Sequence, residues 1–170
     1  MKFIILHHTV SNRDKTTLAD VDAWHKVRWN WKSSLGHYMG YHFLITGDGE
    51  IYQGARLSEE RAHVRGYNNQ AIGIALTGNF EIEKPSEAQL KSTENLLEKL
   101  TKEHFISKRN VRGHLELSRT LCPGRNFMPW IKRWRTSDLN SLQKQIDILR
   151  LMVEQLMIAI KKLKAVKSNK

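Results

Sequence analysis

A single cysteine, Cys122, stands among the 170 residues, so no internal disulfide can form. An isolated thiol fits a reducing compartment or a metal role instead. No stretch approaches the roughly 18–20 consecutive apolar residues that span a bilayer, so no transmembrane segment is expected. Met1-Lys2 is followed by only four apolar residues, Phe3–Leu6, too few for the apolar part of a secretory signal. Acidic residues are scarce: 17 Asp and Glu face 28 Lys and Arg, a formal net charge of +11. The excess runs through the whole chain, with 21 basic against 14 acidic residues over 1–135 and 7 against 3 over 136–170. Such a balance attracts polyanions in general, whether nucleic acid, anionic lipid or anionic cell-wall polymer. What is plentiful, 40% hydrophobic residues and five tryptophans, describes a folded domain of ordinary size with room for a small appendage.

Charge alone favours nucleic acid, but the pattern of metal-ligating residues points elsewhere. In Arg112–Arg125 the cysteine follows His114 by eight residues, with Pro123 and Gly124 turning the chain directly behind it. Thiolate and imidazole both suit Zn2+, which takes nitrogen and sulfur donors in tetrahedral array. A third ligand must come from elsewhere, and the apolar run Phe3–Leu6 delivers a His7-His8 pair. Neighbours on a strand face opposite ways, so one of the two can be a ligand and the other is a core histidine. Two His and one Cys leave a fourth position open, the arrangement of a catalytic rather than a structural zinc.

Along the chain, Phe3–Leu6 reads as a strand buried on both faces, with the His pair at its C-terminal end, the site-building edge of an open α/β sheet. Helical spacing of Leu18, Val21 and Trp24/His25 predicts a helix over Thr17–Arg28, capped by Thr17. Residues 29–40 form a loop rich in aromatics, with Trp29, Trp31, His37 and Tyr38. Trp31 and its neighbours are either surface packing or the wall of a site for an extended, amphipathic substrate. Gly40–Thr46 reads as a strand that Gly47-Asp48-Gly49 turns into a hairpin with Glu50–Gln53. Ala71–Thr77 is a further buried strand, and a polar loop carrying His63 precedes it. Ser86 and Gln89 have capping-box spacing for a helix that runs to about His104 with Leu90, Leu97 and Leu100 on one face. Val111 leads into the cysteine loop, and Phe127–Trp134 reads as a short helix that closes the domain.

Taken together, Ile5-Leu6-His7-His8-Thr9, Gly40-Tyr41-His42-Phe43 with Gly47-Asp48-Gly49, Ala62-His63, Gly73 through Phe80, and Gly113-His114 through Cys122-Pro123-Gly124 resemble the zinc-dependent N-acetylmuramoyl-L-alanine amidases. That family includes phage lysozyme-type amidases, cytosolic muropeptide amidases and animal peptidoglycan-recognition proteins. The match runs over roughly residues 3–134 in the family's order. It implies an α/β fold with a central mixed β-sheet flanked by helices, and Zn2+ held by His7, His114 and Cys122. It also implies a catalytic tyrosine at Tyr41, a substrate contact at Asn79 in the family's Gly78-Asn79-Phe80 segment, and at His63 a residue that contacts substrate or is structural rather than a metal ligand. Thr120 stands where phage enzymes often carry lysine, so it can donate a hydrogen bond but adds no positive charge. Cytosolic muropeptide amidases place aspartate where this chain has Cys122, which weighs against that branch. The implied reaction is cleavage of the amide between N-acetylmuramic acid and L-alanine. Zinc would acidify a water to a pKa of about 7 and polarise the carbonyl. Tyr41 and Thr120 are expected to hold the oxyanion, with Tyr41 carrying the proton to the departing amine.

Residues 136–170 lie outside the resemblance. Leu139, Ile146, Val153 and Ile160 fall seven apart, and Leu142, Leu149, Leu156 and Leu163 follow three after each, a four-heptad coiled-coil pattern. Met152, Met157, Ala159 and Val166 occupy flanking positions where charges are usual, and Leu151 and Ile158 lie on the outer face. Self-association through residues 139–166 is therefore expected, alongside higher oligomers or packing on the catalytic domain as alternatives. Lys161, Lys162, Lys164, Lys167 and Lys170 give the end a charge suited to anionic envelope lipid or to a solubilising tip. The division expected is a zinc amidase domain over 1–135 and an amphipathic helix over 136–170. The whole reads as a phage or prophage endolysin, made in the host bacterial cytoplasm, that binds and cuts peptidoglycan. The competing reading is a non-catalytic peptidoglycan-binding module. Nucleic acid, which would show steep salt dependence and no metal requirement, is not expected as a partner.

Overall fold

The computed structural model describes residues 1–168, without the side chains of residues 139–141 and 159–168. The chain falls into two compact units, Met1–Arg135 and Thr136–Lys170. In the first, five strands form one sheet: β1 (Phe3–His8), β2 (Phe43–Ile45), β3 (Ile51–Gln53), β4 (Ala71–Leu76) and β5 (Val111–Gly113). The spatial order is β3-β2-β4-β1-β5. β1 runs parallel to β4 and β5, β2 runs parallel to β4, and only the β2–β3 hairpin is antiparallel. The sheet is thus mixed, and the parallel neighbours β2 and β4 are joined through β3 and the 54–70 loop, while α1 and α2 lie on the longer connections among the other strands.

Alternation along β1 assigns its two faces. Ile4 and Leu6 join Ile72, Ile74, Leu76 and Val111 in the main core, under Leu96, Leu97 and Leu100 of helix α2 (Glu87–Glu103). Phe127, Met128, Ile131 and Trp134, at the start of helix α3 (Met128–Ser168), fill the rest of that core. The opposite face is covered by helix α1 (Leu18–Trp29), through Val21 against Met39, Leu44 and Ala75, and by the loop around Val64 against Ile5 and Ala71. Both helix starts are closed by reciprocal caps, Thr17 with Asp20 and Ser86 with Gln89, each satisfying orphan N–H groups of a first turn. Gln89 also donates from Nε2 to the Thr77 carbonyl at 2.8 Å, pinning the helix start to the end of β4.

Three boundaries differ from the sequence expectation. The strand expected over Gly40–Thr46 is regular only over Phe43–Ile45, because Gly40 and Tyr41 leave the ladder to pack against Trp29 and His25. Trp29 closes α1 rather than opening the loop; Asn30 follows in a left-handed conformation, φ 48°, that stops the helix. The short helix expected at Phe127–Trp134 and the tail helix form one element, α3. After Pro129, tolerated in the first turn, neither proline nor glycine occurs to interrupt it. In the second unit Leu142, Ile146, Leu149, Val153 and Leu156 are exposed, as are Ile148, Leu151, Met152, Met157 and Ile158. The heptad positions Leu139, Ile160 and Leu163, the flanking Ala159 and Val166, and the terminal lysines lie outside the described side chains. Among the described residues no helix is long and apolar enough to cross a membrane.

Candidate metal centre

The C-terminal ends of the parallel strands build the site, the edge at which open α/β sheets place their ligands. Leu6 pairs with Gly113 in the β1–β5 register, so His7 and His114 leave the two strands side by side; their rings lie 4.7 Å apart between centroids. The loop after His114 returns Cys122 to the same point, held by a 2.6 Å bond from the Leu115 N–H to the Cys122 carbonyl. Ligand atoms of His7, His114 and Cys122 then lie within 4.8 Å of one another, with Cys122 Sγ 3.6 Å from His7 Nδ1.

His8 faces the other way. Its Nδ1 accepts the Phe80 N–H at 3.1 Å and its ring packs on Phe80, the fate of a core histidine. Its backbone N–H donates to Cys122 Sγ at 3.4 Å.

The donor set fits a cation. Burial, reinforced by His63, His114 and His8, holds the His7 imidazole well below its ordinary value, and burial lowers His114 too. Both present lone pairs at neutral pH. Burial pushes the Cys122 thiol up to about 12, against the small opposing effect of the His8 N–H. A buried thiol between neutral imidazoles stays protonated until a cation replaces its proton, and a coordinating metal does so outright.

The centre lies in a cleft of about 610 Å3 lined by these three residues, by Tyr41, His63 and Thr120, and by a wall from α1: Trp24, His25, Val27, Arg28 and Trp29. The Tyr41 ring lies 5.1 Å from that of His7. Burial, and then the Cys122 charge, raise its phenol above the ordinary range, so Tyr41 is a proton donor throughout the neutral range. Thr120 Oγ1 accepts the Cys122 N–H at 3.2 Å, which leaves its own O–H to donate elsewhere. His63 lines the cleft and also touches His7, with His63 Nδ1 3.2 Å from His7 Nε2.

Two of the expected substrate contacts do not line this cleft. Trp31 lies under the Arg61 guanidinium at 5.3 Å, and its carbonyl accepts from Arg61 Nη2 at 2.9 Å. Asn79 spends its Oδ1 on the Glu81 N–H at 3.2 Å. It lines a neighbouring cavity with Ser11, Asn12, Ile82 and Glu83, which meets the metal cleft at Val10. The sequence reading missed the α1 wall, although Val21, Trp24/His25 and Arg28 share one helical spacing that placed them together. It also missed buried Arg61, whose Nε and Nη2 donate to the Met39 carbonyl and so pin the loop behind α1.

An α/β domain whose parallel-strand ends converge two imidazoles and a thiol in an open cleft has the architecture of a metal-binding site. Residues 1–125 match the N-acetylmuramoyl-L-alanine amidase family, and the chain belongs to that family. It is 34% identical over 138 residues to peptidoglycan recognition protein 3 of Mus musculus, covering 78% of this chain and 39% of that protein. It is 30% identical over 136 residues to peptidoglycan-recognition protein SC2 of Drosophila melanogaster, covering 79% and 74%. Among solved structures it resembles the N-acetylmuramoyl-L-alanine amidase LysC from Clostridium intestinale, with 34% identity, a TM-score of 0.69, and 82% and 85% of the two chains covered. PGRP-SA of Apis mellifera superposes with the same TM-score at 30% identity, covering 79% and 82%.

Proposed function

We propose that the protein is a zinc-dependent N-acetylmuramoyl-L-alanine amidase acting on peptidoglycan as an endolysin. The observation that carries this reading is the convergence of His7, His114 and Cys122 in one cleft with Tyr41 and Thr120. His7, His114 and Cys122 would hold Zn2+, which when bound supplies a Lewis acid for the carbonyl and acidifies water. The cleft walls orient the amide between the muramic acid lactyl group and L-alanine. Tyr41, kept protonated by burial, donates its hydroxyl hydrogen bond to the carbonyl oxygen as negative charge develops there, and Thr120 adds a second donor. The proton released by the attacking water would pass through Tyr41 to the departing alanine amine, so that Tyr41 ends the step protonated as it began.

The competing reading is a binding module of the same fold, as some recognition proteins bind peptidoglycan without cutting it. Retention of the three ligand positions together with Tyr41 favours the enzyme. The residues from 136 onward are proposed as an oligomerisation helix, supported by the exposed Leu142, Ile146, Leu149, Val153 and Leu156; the lysine-rich end is proposed to contact anionic envelope lipid.

The deciding experiment incubates purified sacculi with the protein, with and without a zinc chelator. Release of new amino termini on L-alanine, without new reducing sugar ends and abolished by the chelator, is the expected result. New reducing ends would mean glycosidase chemistry, and firm pelleting without release would mean a binding module.

A further inference from the structure

Among the described residues lining the metal cleft none is acidic, and Arg28 alone carries a permanent charge. The other basic groups there are histidines, so Arg28 is the one permanently charged side chain among the described lining residues. Its guanidinium is stacked 5.0 Å over the Trp29 ring, a geometry that organises the planar fork without consuming its hydrogen-bond donors. The acid nearest in the same helix is engaged elsewhere: Asp22 accepts the Tyr38 and Met39 N–H groups at 2.6 and 2.9 Å and faces His37. No described acid forms an ion pair with Arg28.

One turn earlier, His25 Nδ1 accepts the Gly40 N–H at 2.8 Å. That bond places the ring proton on Nε2 and makes the neutral imidazole a donor. Trp24 and Trp29, 48% and 40% exposed, flank the pair.

We propose that the last turn of α1 is the subsite for the peptide arm of the substrate, with Arg28, clamped on Trp29 beside the His25 donor, binding a free carboxylate of the stem peptide. This rests on the amidase reading for the identity of the substrate. The chemistry of that substrate assigns the direction. The lactyl carboxyl of muramic acid is consumed in the scissile amide, and the sugar otherwise offers neutral hydroxyl and acetamide groups. Free carboxylates occur on the peptide side alone, on the γ-linked second residue or beyond it. A lone guanidinium thus orients the peptide along α1 and the glycan toward the opposite wall, where a charge-assisted, bidentate bond gives both strength and register.

The test uses three N-acetylmuramoyl tripeptides: one with all carboxylates free, one amidated at the second residue only, and one amidated at the third residue only. Calorimetry with the full chain kept metal-free by chelator measures binding without cleavage. The wild type is expected to bind the free form roughly tenfold more tightly than one of the amidated forms, and that form identifies the carboxylate. Arg28→Gln is expected to abolish the difference while leaving affinity for that amidated form unchanged, and Arg28→Lys to restore part of it. Equal binding of all three by the wild type, an equal loss on all three in Arg28→Gln, or no binding of any would overturn the proposal. Cleavage of the same compounds with zinc restored separates the two readings. Discrimination without cleavage upholds the subsite and removes the amidase, whereas cleavage without discrimination does the reverse.

Discussion

His7 Nε2 lies 3.2 Å from His63 Nδ1, and His63 Nε2 lies 3.3 Å from the Ala71 carbonyl. A carbonyl only accepts, so His63 carries its proton on Nε2 and offers a lone pair at Nδ1. His7 must then donate from Nε2, which leaves its Nδ1 lone pair facing Cys122. The neighbour thus selects the tautomer that a metal ligand needs, the role that outer partners play at His-ligated sites. Replacing His63 with Ala is expected to weaken zinc binding about 10- to 100-fold with the fold retained, read by competition with a chromophoric chelator. Unchanged zinc affinity would reduce His63 to a cleft-lining residue.

Beneath that pair sits Gly73, where an added Cβ would stand 2.8 Å from His63 Cγ. Gly73→Ala must push the His63 ring off its position, since the imidazole is rigid and confined between β4 and His7. The expected result is the zinc-affinity loss of the His63→Ala variant, and the double variant should be no weaker than either single one. Additive losses would show that the two residues act separately.

For the reaction itself, Tyr41→Phe removes a donor aimed at the cleft while keeping the ring that packs on His7 and His25. Its kcat is expected to fall by roughly 100-fold or more at unchanged zinc content. Thr120→Val, which also leaves the Cys122 N–H without its acceptor, should cost about tenfold. Full activity of the zinc-loaded Tyr41→Phe variant would remove the tyrosine from the mechanism.

How much of this was legible beforehand follows from the range of the signals. The cap at Thr17, the capping box at Ser86, the Gly47-Asp48-Gly49 hairpin and the burial of β1 and β4 are set within a few residues, and the structure has them all. Cys122 and His114 could be named as candidate ligands from their chemistry and spacing, and His7 rather than His8 from the resemblance. The link from His7 to His63 could not, because it depends on a glycine in a different strand and on parallel pairing. Trp31 rests on residue type and Asn79 on the resemblance, yet Arg61 takes the carbonyl of the first and a local turn takes the side chain of the second. Arg28 looked like an ordinary charged residue near a helix C-terminus; only the absence of acids around it in the folded cleft gives it significance.

Acid sensitivity follows from two further histidines. His42 is fully buried, accepts the Gly73 N–H at Nδ1 and donates from Nε2 to the Glu59 carbonyl. Burial holds it down to about 4, with the Glu59 carbonyl opposing, and burial then Arg28 hold His25 down to about 4. Both pKa values are depressed on folding, so below the unfolded value near 6.5 the unfolded chain takes up protons that the native chain refuses. Their contribution is complete above pH 6.5 and is lost as pH falls toward 4, by about 3 kcal/mol at most for His42. Denaturant melts between pH 7 and 4.5, run with chelator to remove metal linkage, should show this slope, and His42→Gln should reduce it without abolishing it, since the other buried histidines remain. A flat wild-type profile would contradict the burial of both rings.

The exposed apolar row on α3 leads to the last expectation. Leu142, Ile146, Leu149, Val153 and Leu156 recur at alternating spacings of three and four along one helical stripe and are all exposed, and leaving five such side chains in water is costly. A second copy offering the same stripe would cover it by knobs-into-holes packing, with β-branched residues alternating with leucine as in two-stranded coils. Sedimentation of the intact chain should therefore show a dimer or larger assembly. A chain ending at Arg135 should be monomeric and still folded, because Met128, Ile131 and Trp134 remain in the core. Val153→Asp in the full chain should dissociate the assembly without altering the amidase domain. If intact, truncated and substituted chains all sediment as monomers, the stripe does not mediate self-association, and co-sedimentation of the intact chain with vesicles containing anionic lipid becomes the measurement that decides what covers it.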